Sequence, residues 1–247
     1  MGTNEKELIG YVHSVETAGM VDGPGIRYLV FLAGCNLRCK YCHNPDTWKM
    51  KDGYQASVGE ILQDIEKYRS YLTFSGGGVT VTGGEPLMQA EFLRELLKAC
   101  KRAGFHTTVD TSGFANTKVI REVLQYTDLL LLDLKGIDPA RYEALTAVPL
   151  APTLATFQIA EEMQVPVWVR YVLVPGLTDL EEDLRAARQF LDGFTNIERT
   201  DVLPFHKMGE YKWAELGLSY TLAETESPTA EELAIAREIL IKKPAKE

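Results

Sequence analysis

Apolar residues in this chain follow two alternating rhythms. Short, nearly unbroken apolar runs are separated by stretches in which apolar positions recur every three or four residues. The short runs predict strands over 9–13, 26–32, 78–82, 106–110, 129–132, 165–174 and 197–203. The longer rhythm predicts helices over 58–71, 91–104, 118–125, 180–191 and 229–241. In the first helix Ile61, Leu62, Ile65 and Tyr68 form the apolar stripe, and Ser57 with Glu60 spells a capping box. Gly104 ends the second helix, and Thr229 or Ser227 caps the last.

Strands that alternate with helices and are apolar on both faces pair in parallel, with helices outside. Periodicity fits an open doubly wound sheet and a barrel equally well. At roughly 150 residues per domain, the 247 residues allow one large domain or two small ones. With no repeat, low-complexity tract or long linker, a single domain over 1–247 is expected.

Polar residues collect directly after the strands. The strand at 26–32 leads into Cys35, Cys39 and Cys42, the next into Gly83-Gly84-Glu85-Pro86, and the third into Asp110-Thr111-Ser112-Gly113. The remaining three lead to Asp133-Leu134-Lys135, to Arg170 and to His206. In parallel β/α folds the C-terminal strand ends form the ligand face. Six such endings in succession point to one shared pocket.

The net charge of -9 argues against a general nucleic-acid binder, whose footprint is a basic patch. Residues 1–7 are polar with no apolar core of a leader behind them, and no apolar stretch reaches the roughly 20 residues of a membrane span. A soluble cytoplasmic protein with no membrane or nucleic-acid partner is expected. Four cysteines, three of them crowded at 35–42, suit metal or redox chemistry and not a disulfide scaffold. Cys100 lies on a helical apolar stripe and reads as a small buried hydrophobe.

Three thiolates on one loop can hold three corners of a four-iron cubane and leave one iron open, the arrangement of a site that takes up substrate. The alternative is a zinc ion on Cys35, Cys39, Cys42 and His43, although adjacent Cys42 and His43 are cramped as ligands of one tetrahedral ion. The loop alone leaves both open.

The C-x3-C-x2-C spacing with Tyr41 before the third cysteine, together with Gly83-Gly84-Glu85-Pro86, resembles the radical S-adenosylmethionine (SAM) superfamily. Longer stretches at 21–27, 39–48, 75–80, 132–135, 170–176 and 203–209 make residues 10–213 similar, nearly end to end, to the glycyl-radical-enzyme activases of the pyruvate formate-lyase type. The segment 145–150 departs: glycine is expected where Ala147 stands, with small polar residues at 149 and 150, which puts a local turn in doubt and not the active site.

The resemblance implies an α/β fold, a partial (β/α)6 TIM-like barrel with its core at about 8–213 and a C-terminal helix at 229–241. It implies that Cys35, Cys39 and Cys42 hold a [4Fe-4S] cluster whose open iron is chelated by SAM. Tyr41, Cys42, His43, Gly83, Gly84, Glu85, Asp133, Leu134, Lys135, Arg170 and His206 are then the SAM contacts. Asp110, Thr111, Leu131 and Asp133 are the ligands of a monovalent cation, Na+ or K+. Asp22 touches the glycine loop of pyruvate formate-lyase, and a flavodoxin or ferredoxin supplies the electron to a monomeric enzyme. The reaction implied is reductive cleavage of SAM to a 5′-deoxyadenosyl radical, which takes hydrogen from a backbone glycine of the partner.

The residue types suit these roles. Gly83 and Gly84 lack a Cβ and permit close approach. Lys135, Arg170 and His206 carry donors for a carboxylate or ribose. Asp110 and Asp133, on neighbouring strands, need a cation or a proton between them, although a plain ion pair of Asp133 with Lys135 is the simpler alternative. His13 and His106 read as structural. Activases of other glycyl radical enzymes often carry extra cysteine-rich cluster domains; no cysteine lies between Cys42 and Cys100, which favours the pyruvate formate-lyase type. A zinc-binding structural or interaction protein is the alternative from another class.

Overall fold

The computed structural model describes residues 8–241; the polar segment 1–7 and residues 242–247 lie outside it. Its strands are β1 (Ile9–Gly19), β2 (Arg27–Leu32), β3 (Tyr54–Ser57), β4 (Gly78–Gly83), β5 (His106–Thr111), β6 (Leu129–Asp133), β7 (Val167–Leu173) and β8 (Ile197–Pro204). They form one eight-stranded sheet in the order β3-β1-β2-β4-β5-β6-β7-β8. β1 is antiparallel to both its neighbours, whereas every pair from β2 to β8 is parallel. The parallel strands are neighbours in chain order with no reversal. Right-handed crossovers therefore place all their helices on one face, and the sheet curls as a barrel without closing. The doubly wound alternative is removed, and the expected partial (β/α)6 barrel is what forms.

The helices are α1 (Val58–Glu66), α2 (Arg69–Phe74), α3 (Ala90–Arg102), α4 (Thr117–Leu124), α5 (Pro139–Thr146), α6 (Ala151–Glu162), α7 (Glu181–Leu191), α8 (Glu210–Glu215) and α9 (Ala230–Leu240). The Ser57–Glu60 capping box forms as expected, and α9 has its own box from Thr229 and Glu232, so Thr229 and not Ser227 is the cap. The single helix expected over 58–71 breaks at Lys67–Tyr68, where Tyr68 turns its ring toward Tyr28, 5.7 Å between centroids.

Alternation along the strands sorts side chains between two compartments. One set, with Tyr28, Val30, Val79, Val81, Val109, Leu130 and Leu132, faces the helices and packs with Ile61, Ile65, Leu93, Leu96 and Cys100. The other set faces the concave interior and mixes apolar residues such as Leu29 and Leu131 with polar ones. At its base the buried Arg27 donates to Thr80 Oγ1 (2.9 Å), Val79 O (2.6 Å) and Thr108 Oγ1 (2.8 Å). Thr80 in turn donates to the Asp22 carbonyl (2.7 Å), which fixes the β1–β2 loop beneath the interior. His106 contacts Arg27 (3.2 Å) and His13 pairs with Asp46 (3.1 Å), so both histidines have the structural role expected of them.

The turn joining α5 to α6 reaches further than its sequence indicates. Ala147 adopts φ 63°, the left-handed region that favours glycine, and its N–H caps α5 on Glu143 O. The preceding carbonyls of Leu145 and Thr146 accept from Lys40 N (3.0 Å) and Arg38 N (2.8 Å). The departure from the family pattern thus lies directly under the cysteine loop and is not a remote turn.

Holding alanine left-handed costs roughly 1–2 kcal/mol, while glycine frees the unfolded chain by a smaller amount. Ala147→Gly is expected to raise unfolding stability by about 0.5–1 kcal/mol in urea denaturation. A loss of stability would contradict this reading of the turn.

Candidate active site

The C-terminal ends of the parallel strands surround a cavity of about 390 Å³. Cys35, Cys39 and Cys42 line one side, and all three are free thiols. Strand-end residues from β4, β5, β6, β7 and β8 line the rest, including Gly83, Gly84, Glu85, Asp110, Thr111, Asp133, Lys135, Arg170 and His206.

Contacts from distant parts of the chain set the shape of the cysteine loop. Gly34 N donates to Thr47 O (2.6 Å) and Cys35 N to Trp48 O (3.1 Å). Leu37 and Cys39 pack on Tyr142, Val148 and Leu150. From the β4 side, Gly84 N donates to Leu32 O (2.9 Å) and Glu85 N to Gly34 O (2.8 Å). A Cβ on Gly84 would stand 2.3 Å from Gly34 O and 3.2 Å from Cys35 Cβ. The glycine pair therefore lets the β4 end close against the cysteine loop, a use of the missing Cβ that the sequence did not reveal.

Glu85 is buried beside this contact. Its Oε1 accepts from Leu87 N (3.1 Å) and Thr111 Oγ1, and its Oε2 from Ser112 N (3.0 Å) and Ser112 Oγ. Burial pushes its carboxyl above the ordinary range, and these four donors resist the shift. The carboxylate ties β4 to β5, so it braces the wall of the cavity.

The interior charges converge on Arg170. Its Nη1 lies 3.3 Å from Asp22 Oδ1 and 3.4 Å from Asp110 Oδ2, and its Nε is 3.8 Å from Asp133 Oδ1. Asp110, with Asp133 and Asp22, holds the guanidinium above its usual pKa against burial. Burial raises the Asp110 carboxyl, countered by Arg170 and by the Thr82 hydroxyl at 2.7 Å. Burial works against the Lys135 ammonium, but Asp133 at 2.6 Å, with Tyr41 and Cys39 nearby, lifts its pKa well above normal. The simple Asp133–Lys135 ion pair is therefore present.

Three buried polar atoms here make no hydrogen bond: Tyr41 Oη, Arg170 Nε and His206 Nδ1. His206 stacks on His43, 4.1 Å between centroids, and His43 Nε2 lies 2.9 Å from His206 O. Burial lowers the His43 pKa. Burial pushes the Cys35 and Cys39 thiols up to about 12 and raises Cys42 as well. Cluster ligation takes thiolates, so loading would displace these protons.

The donor set fits an iron-sulfur cluster better than zinc. A single tetrahedral ion gathers its ligands to within roughly 4 Å of each other, given Zn–S bonds near 2.3 Å. Among the described residues no three His, Cys, Asp or Glu side chains converge in that way. The only neighbouring imidazole on the loop, His43, is turned to His206. In a cubane each thiolate meets a different iron, and three thiols spaced along one cavity wall suit that.

Some expected site residues lie outside the cavity lining. Leu131 is buried within β6, and Leu134 points into the helix-facing core. Asp22 lies below, paired with Arg170. Sequence reasoning missed Thr82 and Asn44, which line the cavity, and gave Ser112 no role beyond its place in a strand ending. It also missed Trp213, whose indole donates to Cys42 O (2.9 Å). Period-two alternation on β4 could have found Thr82; nothing local marks Trp213.

Fold and site together define an open (β/α)6 barrel carrying three thiols and a cavity of about 390 Å³ at its strand ends. Residues 29–191 match the radical SAM superfamily. The chain is 45% identical to the pyruvate formate-lyase-activating enzyme of Listeria monocytogenes, over 95% of this chain and 97% of that protein. It is 45% identical to the enzyme of that name from Staphylococcus aureus, over 93% and 94%. A solved domain of pyruvate-formate lyase-activating enzyme from Bacteroides vulgatus superposes with TM-score 0.56 at 30% identity, covering 66% of this chain and 92% of that one. A radical SAM methyltransferase from Sphaerobacter thermophilus shares the fold, with TM-score 0.65 at 17% identity over 97% of this chain and 72% of its own. The chain belongs to the pyruvate formate-lyase-activating enzyme family of the radical SAM superfamily.

Glu85→Gln places an NH2 group against either Leu87 N–H or Ser112 N–H, neither of which can turn to accept. A loss of about 1–3 kcal/mol is expected in thermal or chemical unfolding. Unchanged stability would show that Glu85 does not brace the wall.

Proposed function

We propose that this chain activates pyruvate formate-lyase by installing a glycyl radical in it, with Cys35, Cys39 and Cys42 holding a [4Fe-4S] cluster and SAM as cosubstrate. The observation that carries this is the meeting of three free thiols and three buried polar atoms that make no hydrogen bond at one strand-end cavity. When bound, the cluster and SAM supply one-electron cleavage of the sulfonium and a radical able to take hydrogen from a glycine Cα of the partner.

The chain's own residues bind and orient. Arg170 Nε offers an N–H to the carboxylate or ribose of SAM, and the ammonium of Lys135 adds positive charge beside it. His206 and Tyr41 offer the remaining unpartnered polar atoms, while the His43–His206 stack gives a flat surface for a purine. Val172, Leu203 and Pro204 add apolar surface to the lining. Glu85, Gly83 and Gly84 hold the β4 end against the cysteine loop and so fix the thiols relative to Lys135 and Arg170.

A monovalent cation, Na+ or K+, belongs to the same reading. It would join Asp110 and Asp133, with oxygens from Thr111 and Leu131, and add to the positive charge that Arg170 and Lys135 already bring. The partner's glycine loop would contact Asp22, the residue already paired with Arg170, and a flavodoxin or ferredoxin would deliver the electron. We read the chain as one radical SAM domain acting as a monomer in the cytoplasm. No helix among the described residues is long and apolar enough to cross a membrane.

Anaerobic incubation of pyruvate formate-lyase with this protein, SAM and reductant is expected to give a glycyl radical by electron paramagnetic resonance. Cleavage of SAM without that signal would mean another partner. Replacement of Cys35, Cys39 or Cys42 by alanine is expected to abolish SAM cleavage, and a variant with full turnover would refute its place as a ligand.

A further inference from the structure

Two tryptophans close the cysteine loop into a ring of contacts. Trp48 follows the loop, and its carbonyl accepts from Cys35 N (3.1 Å). Trp213 lies on α8, far along the chain, and its indole N–H donates to Cys42 O (2.9 Å). The two indoles meet edge to face, 5.1 Å between centroids at 85°. On the outer side the Arg38 guanidinium covers the Trp48 ring at 4.7 Å and donates to Cys35 O (2.7 Å). The first and third cysteines are therefore tied to each other through Trp48 and Trp213, and the carbonyls of both receive a donor.

Helix α8 is fixed in the pose this requires. Lys212 donates to Asn44 Oδ1 (2.9 Å) and pairs with Asp46 (3.0 Å). A Cβ on Gly209 would stand 2.7 Å from both Cα and O of His43, so the chain entering α8 lies directly on the residue after Cys42. Trp213 is 7% exposed and also rests against Tyr220, at 5.3 Å. Its N–H is aimed at a cysteine carbonyl inside a water-poor contact, where a dipole acts at low dielectric.

Reduction of an iron-sulfur cluster adds one negative charge. Donors aimed at the ligand residues stabilise the reduced state, and a tethered ligand is released more slowly. We propose that Trp213 is a positioning residue for the cluster: its indole N–H, backed by Trp48, fixes Cys42 and makes the reduced state easier to reach. This rests on the radical SAM reading of the site. It adds a residue on a separate helix that tunes the cluster without touching SAM.

The test is an anaerobic redox titration of the holoenzyme followed by electron paramagnetic resonance, with iron release to a chelator measured on the same samples. Trp213→Phe keeps an aromatic ring in the contact and removes the donor. It is expected to retain iron and sulfide in the wild-type ratio, to titrate at a more negative potential and to release iron faster. Trp168→Phe, at the N-terminal end of β7 where the indole faces Glu198, is expected to match wild type in both readouts. An unchanged potential in cluster-bearing Trp213→Phe would overturn the proposal. Absence of inorganic sulfide from the wild type would instead overturn the reading of the site.

Should Trp213→Phe fail to fold, the wild-type holoenzyme carries the test. With 15N-labelled tryptophan, the Trp213 indole proton is expected to exchange with deuterium far more slowly than that of Trp168. Exchange at the same rate would overturn the proposal.

Discussion

Asp22, Asp110 and Asp133 meet Arg170 and Lys135 in the interior of this barrel, and the balance of these charges is the constraint on which the site depends. Asp22, Asp110 and Asp133 come from different segments, and Arg170 lies within 4 Å of all three. A buried carboxylate without a cation would be forced to take a proton, and burial already drives Asp110 that way. Arg170 therefore links β5, β6, β7 and the β1–β2 loop, while Lys135 takes the second oxygen of Asp133. Within this network the buried Arg170 Nε makes no hydrogen bond, with a carboxylate oxygen of Asp133 3.8 Å away.

Above this charged layer, the cysteine loop has little structure of its own. Its backbone N–H groups are satisfied by Thr47, Trp48, Leu145 and Thr146, and its side chains rest on Tyr142, Val148 and Leu150. The β4 end presses on it where only glycine fits. The thiols are held by parts of the chain separated by more than a hundred residues, so their geometry is a property of the whole fold. Preorganisation of this kind lets a short loop present ligands without a loss of conformational entropy at the moment of binding.

The parallel strands were legible because they are buried on both faces and therefore nearly continuous in apolar residues. The strand-end residues were legible because chemistry in such folds gathers at that end, and the cavity brings together Cys35, Glu85, Asp110, Lys135, Arg170 and His206. β3 was missed because four residues with an exposed tyrosine give no pattern, and it forms only by pairing with β1. Helices α5 and α6 were missed because threonines occupy their buried faces. Thr146, Thr153 and Thr156 donate to the carbonyls of Tyr142, Ser112 and Gly113, which hides the apolar rhythm. Leu134 shows the opposite fault: alternation along β6 sends it to the helices once Asp133 faces inward, and motif matching ignored that alternation. Trp213 could not be read at all, since its partner is a carbonyl 171 residues away.

On this reading Cys35, Cys39 and Cys42 would hold a cubane with one iron left for the cosubstrate. Iron, zinc and acid-labile sulfide in anaerobically prepared protein test it most directly. The account requires about four irons and four sulfides per chain, with no stoichiometric zinc. Zinc at one per chain without sulfide would contradict it.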